Sequence, residues 1–405
     1  MHTSLKQWTS VDGCLTVGGV RLDELARRIG RTPFYAYDRA RITERIAFVR
    51  KHMPPRAQLN FAVKANPMPA LVRQMASLVD GFDVASAGEL DVVLQANVPA
   101  RTISFAGPGK SRAELARAAA AGVLVNVESL REIRVLGQIG QETGNTARVA
   151  VRVNPDFELK SSGMKMSGGP TPFGIDSEMV PEALHAIAAA GLQFEGFHIF
   201  AGSQNLNAAA ICEAHTRALE LVLKLTDDAP APVRIVNIGG GLGIPYFPAD
   251  VGLDLAPIAA NLADIDETLR RNLPGAVIVI ELGRYLVGEA GVYVCRVVDR
   301  KVSRGRVFLV TDGGMHHHLA ASGNFGQVVR KNFPVVIGNR MDDPPTETVS
   351  VVGPLCTPLD LLADRLEVPE AREGDLVAIF QSGAYGLTAS PTAFLSHPPP
   401  AEVLV

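Results

Sequence analysis

Much is missing from this 405-residue sequence, and each absence removes a class of protein. Cysteine is scarce. The four residues, Cys14, Cys212, Cys295 and Cys356, are scattered without a CxxC pair. They read as reduced thiols, which excludes a disulfide framework and a zinc knuckle. No apolar run reaches the ~18 residues a membrane span needs. Met1 to Trp8 contains no signal-peptide core. The expected location is therefore cytoplasmic. Charge of one sign is also lacking: the formal net charge is −3 and no long basic run occurs, so nucleic acid is a poor partner. No GxGxxG lies near the first strand candidates, as a doubly wound nucleotide-binding sheet would usually show.

What remains is a chain able to bury a large core, 47% hydrophobic and 20% charged, with a length comfortable for two domains. From about residue 59, short β-branched runs alternate with Ala/Leu-rich helical stretches. The strand candidates are Leu59–Val63, Gly81–Ala85, Thr102–Ala106, Leu124–Val127, Arg148–Val153, Gln193–Ile199, Arg234–Ile238 and Ala276–Glu281. Eight strand–helix units predict an α/β fold, a (β/α)8 TIM barrel over 36–283. After Glu281 the strands Tyr293–Val302, Val307–Thr311, Thr348–Val352 and Leu376–Phe380 follow without long helices. They predict a β-domain from 284–405, joined by residues 1–35. The stretch Asp156–Pro172 is polar and irregular, and longer than an ordinary βα connection. It reads as a mobile active-site loop. Ser396–Pro400 reads as an unstructured proline-rich end.

Barrels place reactive groups at the C-terminal ends of their strands. There the sequence offers Lys64, Asp83, Arg152, His198, the run Gly239-Gly240-Gly241, and Glu281 with Gly283 and Arg284. A lysine closing a buried strand is costly to desolvate and suits a Schiff base to a carbonyl cofactor. A lysine snorkelling to water is the alternative. Glycines after the seventh strand expose bare N–H groups to a phosphate, or simply make a tight turn. Ser203 and Arg284 could serve the same anion. Glu281 needs a cationic partner, which a pyridinium N–H would supply. His198 is either a satisfied core histidine or a platform for a planar ring.

Taken in order, Phe61–Asn66, Asp83–Glu89, Arg152–Pro155, His198 with Gly202-Ser203-Gln204, Gly239–Gly241, Glu281–Arg284, Asp312-Gly313, Gly353–Cys356 and Gly383–Tyr385 resemble the fold-type III pyridoxal-phosphate decarboxylases. That group holds the diaminopimelate, ornithine and arginine decarboxylases. His198–Leu206, Asp312–Gly326 and Gly353–Asp360 further resemble the subgroup described as exosortase A system-associated decarboxylases. The resemblance implies an alanine racemase-like barrel, pyridoxal 5'-phosphate as cofactor, and loss of the α-carboxylate from an L-amino acid. It implies that Lys64 carries the cofactor and His198 stacks on its ring. Glu281 would pair with the ring nitrogen, and Asp83 and Arg152 would support the ring site. Ser203, Gly239–Gly241, Gly283, Arg284 and Tyr385 would complete cofactor binding. Asp312, Cys356 and Asp360 would meet substrate, the last two across a homodimer interface. Cys356, or a water it positions, would return a proton to Cα.

Three departures bear on substrate. The His198-to-Ser203 spacing is longer than the family's HxGS. Cys356-Thr357-Pro358 stands where diaminopimelate decarboxylases have CES. His316-His317-His318 and the glycine-rich stretch to Gly326 replace an RPxLY segment. Diaminopimelate is therefore not the expected substrate, and a carrier-protein-tethered aminoacyl group is an alternative. The histidine triplet is not read as a metal site, since neighbours on one strand point to opposite faces. A racemase on the same scaffold would carry arginine rather than Glu281 at the ring nitrogen. A non-catalytic cofactor carrier would lack the β-domain. A phosphosugar-binding barrel would not explain Lys64 with Glu281.

Overall fold

The computed structural model describes residues 3–158, 164–165, 167–327 and 329–405. The chain divides into two compact units. One comprises Ile46–Ile244 and Gly252–Tyr285; the other comprises Met1–Arg45, Pro245–Val251 and Leu286–Val405.

The first unit is a closed barrel. Its strands are Gln58–Ala62, Gly81–Val84, Ile103–Phe105, Leu124–Val127, Arg148–Asn154, Gln193–His198, Ile235–Asn237 and Val277–Leu282. Each pairs in parallel with its neighbour, and the eighth pairs back to the first through Glu281↔Asn60 and Leu282↔Phe61. All are buried along most of their length, as parallel strands under a helical jacket must be. Local chemistry starts and stops the helices. Ser111 and Glu114 form a reciprocal capping box on Arg112–Ala121, and Gly122 ends that helix at φ 76°. Ser86 and Ser129 cap the helices after the second and fourth strands.

The eight barrel strands stand where the alternating pattern predicts them, with edges shifted by a residue or so. One shift matters. The first strand ends at Ala62, and Lys64 sits beyond it in the 3-10 turn Val63–Ala65. Asn66 closes that turn by donating its N–H to Val63 O at 2.9 Å, and its side chain accepts from Met68 N. The Asn66-Pro67 step turns the chain away from the sheet before Lys64 can extend it.

The second unit is an antiparallel-rich sheet. Gly291–Ser303 is its long central strand. It pairs with Arg306–Thr311, Leu376–Ile379 and Phe34–Tyr37. Glu347–Val352 and Leu361–Val368 extend one side. Trp8, Leu15, Leu22, Phe34, Val292, Val294 and Phe380 form its core.

Two sequence expectations are corrected in this unit. The proline-rich end is not unstructured: Pro398 O accepts from His317 Nε2 at 3.1 Å, and Ala401–Leu404 is a strand parallel to Phe34–Tyr37. The histidine triplet lies in a turn after Arg306–Thr311, not on a strand. All three rings are buried. Of the expected Asp156–Pro172 loop, residues 159–163 and 166 lie outside the described residues. Met164–Lys165 pairs antiparallel with Gly202–Ser203.

Candidate active site

The C-terminal mouth of the barrel brings most of the expected residues of that unit together. Lys64 is 42% exposed, which corrects the expectation of a buried lysine: the strand ends early and the turn lifts the side chain to the mouth. Its Nζ stands 3.8 Å from Glu281 Oε1 and 5.2 Å from the centre of the Phe200 ring. Gly283 permits this placement, because a Cβ there would lie 2.8 Å from the Ala65 Cβ.

Glu281 is one residue short of the end of the eighth strand, not its last residue, and is 5% exposed. His198 closes the sixth strand, with Nε2 3.3 Å from Glu281 Oε2. That is an ion-pair distance without hydrogen-bond alignment; both His198 nitrogens and Glu281 Oε2 are buried with no aligned partner. Burial pulls His198 below its usual value despite Glu281, so the imidazole is neutral. Burial alone would raise Glu281. The His198 contact and the charges of Lys64 and Arg152 outweigh it and hold the carboxylate ionised. Asp83 goes the other way. Burial, with the charge of Glu281 added, pushes it well above the carboxylate range, and Ser104 Oγ donates to it. Arg152, on the fifth strand, pairs with Glu128 at 2.8 Å.

After the seventh strand the backbone makes a cradle. Gly239 and Gly241 have φ of 70° and 75°, and a Cβ on Gly240 would lie 2.4 Å from Glu281 O. Only glycine fits such a turn. Asn237 Oδ1 accepts from Gly239 N at 2.8 Å, and Glu281 N donates to Gly239 O at 2.8 Å. Ser203 lies in a short ladder with Met164, and Arg284 opens the helix after the eighth strand.

A model of the "pyridoxal-dependent decarboxylase, pyridoxal binding domain" matches residues 39–288. The chain belongs to the pyridoxal-dependent decarboxylases. It is 39% identical, over 92% of its length and 88% of the relative's, to an L-glutamyl-[BtrI acyl-carrier protein] decarboxylase of Niallia circulans. It is 35% identical, over 97% of its length and 91% of the relative's, to the diaminopimelate decarboxylase of Aquifex aeolicus. A crystal structure of M. jannaschii diaminopimelate decarboxylase with L-lysine superposes with a TM-score of 0.86 at 27% identity, covering 99% of this chain and 93% of that one.

The decarboxylase site fits its cofactor on the chain's own geometry. The glycine cradle offers backbone to a phosphate where no Cβ could stand. A lysine amine lies at the mouth. The unaligned buried atoms of His198 and Glu281 match the face and ring nitrogen of a pyridine. His215 and Glu128 are absent from the sequence expectation. His215, on the helix Ala208–Leu225, is buried and lines the same small cavity as Gly240. Its only sequence signal is a histidine on an otherwise apolar helix face.

The remaining expected residues belong to the second unit. Asp312 accepts from Arg296 N at 2.8 Å and from the Thr32 hydroxyl. Asp360 is 3% exposed and accepts from Met315 N at 2.6 Å and Leu355 N at 2.8 Å. Both Asp360 oxygens are thus engaged inside their own unit, which suits holding the Gly353–Asp360 loop better than meeting substrate. Cys356 is exposed on that loop. Tyr385 is half-buried, at φ 52°.

Proposed function

We propose that this decarboxylase acts on an L-amino-acid derivative rather than on free diaminopimelate, with an aminoacyl group tethered to a carrier protein as the leading candidate. Bound pyridoxal 5'-phosphate supplies an aldehyde carbon for an amine and a protonated ring that accepts the electron pair left by departing CO₂. The chain's residues do the rest. Lys64 would hold the cofactor through Nζ and would give way to the substrate amine. The Gly239–Gly241 backbone, Ser203 and Arg284 would hold the phosphate, as the resemblance implies for Tyr385 too, and His198 would hold the ring. Glu281, kept ionised beside the neutral Asp83, would hold a proton on the ring nitrogen. Cys356, or a water it positions, would return a proton to Cα. Asp312 would act on the substrate side only through the backbone it fixes.

The observation that carries the chemistry is the juxtaposition of Lys64, Glu281 and His198 at one barrel mouth. For the substrate, three observations agree. Thr357-Pro358 and His316–His318 stand where an acidic contact and an arginine-bearing segment would clamp a distant charged group. A relative 39% identical is named for a carrier-protein-linked glutamyl group. Another, 30% identical, is named for a carboxylate-rich alanine derivative. We further propose a homodimer in which Cys356 serves the neighbouring subunit's site.

The test is CO₂ release from diaminopimelate, lysine, ornithine, arginine and glutamate, each free, and from carrier-linked aminoacyl groups. A missing charged partner costs a substrate several kcal/mol, so free diaminopimelate should be turned over poorly. A kcat/KM for it of about 10⁴ M⁻¹s⁻¹ or more refutes the substrate proposal and leaves an ordinary lysine-pathway enzyme.

A further inference from the structure

Behind the barrel mouth runs a row of charges whose buried inner members, Glu132, Lys110, Glu128 and Arg152, the chemistry above does not use. It begins at Glu132, on the helix after the fourth strand. Glu132 Oε2 lies 3.1 Å from Lys110 Nζ, with both side chains at most 2% exposed. Lys110 also donates to Gly107 O at 2.7 Å and Asn126 O at 2.8 Å, so it is fixed in place. It faces Glu128. Glu128, with its side chain 2% exposed, pairs with Arg152 at 2.8 Å. The charge of Arg152 reaches Glu281 and His198, and Glu281 neighbours Lys64. The signs alternate from end to end: Glu132, Lys110, Glu128, Arg152, Glu281, Lys64.

Glu128 is the joint of this row. Besides Arg152, its Oε1 accepts from Gly107 N at 2.5 Å, in the loop after the third strand. Its Oε2 accepts from Gly174 N at 3.1 Å, beyond the fifth strand. Gly174 has φ 77°, and a Cβ there would lie 2.9 Å from Asn154 N, so the backbone comes this close only as glycine. One carboxylate therefore ties three elements around the arginine. An arginine this buried would be costly without a partner.

We propose that Glu128 is a positioning residue for the decarboxylase site: it fixes Arg152 and the loops at Gly107 and Gly174, and it balances the positive charge that Arg152 presents to Glu281 and Lys64. This rests on the reading of Lys64 as the cofactor-bearing residue. Glu281, Asp83 and Glu89 are acidic groups of the described residues that act on Lys64. Arg152 faces Glu128 on one side and His198 with Glu281 on the other. Removing the charge of Glu128 leaves Arg152 uncompensated. A protonated nitrogen at Lys64 then sits in a more positive field and releases its proton at lower pH.

The experiment uses the cofactor-loaded protein and reads the absorption band of the lysine-linked cofactor as pH is varied, together with cofactor affinity by equilibrium dialysis. Glu128→Gln should lower the titration midpoint by about one pH unit and weaken cofactor binding about tenfold. Glu128→Asp keeps the charge but shortens the reach. It should restore the midpoint and only part of the affinity. Glu142→Gln, in an exposed pair with Arg112, should change neither. A Glu128→Gln protein that folds and matches the wild type in both readouts overturns the proposal. If Glu128→Gln does not fold, Glu128→Asp decides, and wild-type affinity in that variant overturns it. A wild-type protein with no hydroxylamine-sensitive band refutes instead the reading of Lys64.

Discussion

Lowering the pH from 7.5 to 5.5 should weaken the β-sheet unit through His318, by an amount its hydrogen bonds fix. The ring is fully buried, edge-on to Tyr293 and Phe333 at 5.6 Å. Ala321 N donates to Nδ1 at 3.3 Å, so that nitrogen carries no proton. Nε2 lies 2.9 Å from Ser382 Oγ and donates to it. A second proton would face the Ala321 N–H and have no water to solvate it. Burial accordingly pushes His318 down to about 3. The folded state stays neutral at pH 5.5, while the unfolded histidine, with its ordinary value of 6.5, is about nine-tenths protonated. The unfolded state binds the extra proton, so stability is full above the unfolded value and is lost as pH falls below it. Linkage sets the loss between pH 7.5 and 5.5 at about 1.4 kcal/mol. Any folded value below about 4.5 gives the same figure. The assay is urea unfolding at the two pH values, followed by the fluorescence of Trp8. It is the chain's single tryptophan and lies in the core of the same unit. His318→Gln should be less stable at pH 7.5, yet lose about 1.4 kcal/mol less than wild type on acidification. Equal losses in the two proteins, within about 0.4 kcal/mol, would refute the argument. His317, pushed down to about 3 by burial and by His316, should add a similar increment.

Lys64→Ala should abolish the borohydride-trappable cofactor adduct and the yellow band while keeping some cofactor through the phosphate cradle; trapping on another lysine would overturn the assignment. Gly240→Ala places a Cβ 2.4 Å from the Glu281 carbonyl and should cost about 1–3 kcal/mol of stability, with weaker cofactor binding by dialysis. Mixing inactive Lys64→Ala with inactive Cys356→Ala should restore part of the activity if sites are shared, because one hybrid site carries neither change; no recovery after verified subunit exchange counts against sharing.

The barrel was legible because its period is dictated by packing. Strands buried on both faces must read as apolar runs, and their helices must begin at residues such as Ser86, Ser111 and Ser129 that cap them. The β-unit was less legible. Leu361–Val368 alternates apolar with charged residues and resembles a loop, and Ala401–Leu404 hides behind three prolines. The first is a strand only through its hairpin partner Glu347–Val352, and the second only through Phe34–Tyr37, which is distant in the chain. Asp360 shows the same limit. Its motif marks it, but only the fold shows both its oxygens held by Met315 and Leu355 N–H groups.

Asp83 and Glu281 carry the argument furthest from the sequence. Each, read alone, is a carboxylate at a strand end, and nothing in either local pattern says which one ionises. The barrel sets them close enough to couple, and two neighbouring buried carboxylates cannot both be charged at low cost. Their partners then decide between them. Asp83 has Ser104 and Asn60, neutral dipoles that satisfy it uncharged or charged, while Glu281 has Lys64, His198 and the field of Arg152. The carboxylate beside the cations Lys64 and Arg152, with the neutral His198 in contact, keeps the charge. A ring nitrogen paired with Glu281, as proposed, would meet an ionised carboxylate and keep its proton. Asp83→Asn, which is isosteric and neutral, should perturb this site far less than Glu281→Gln does.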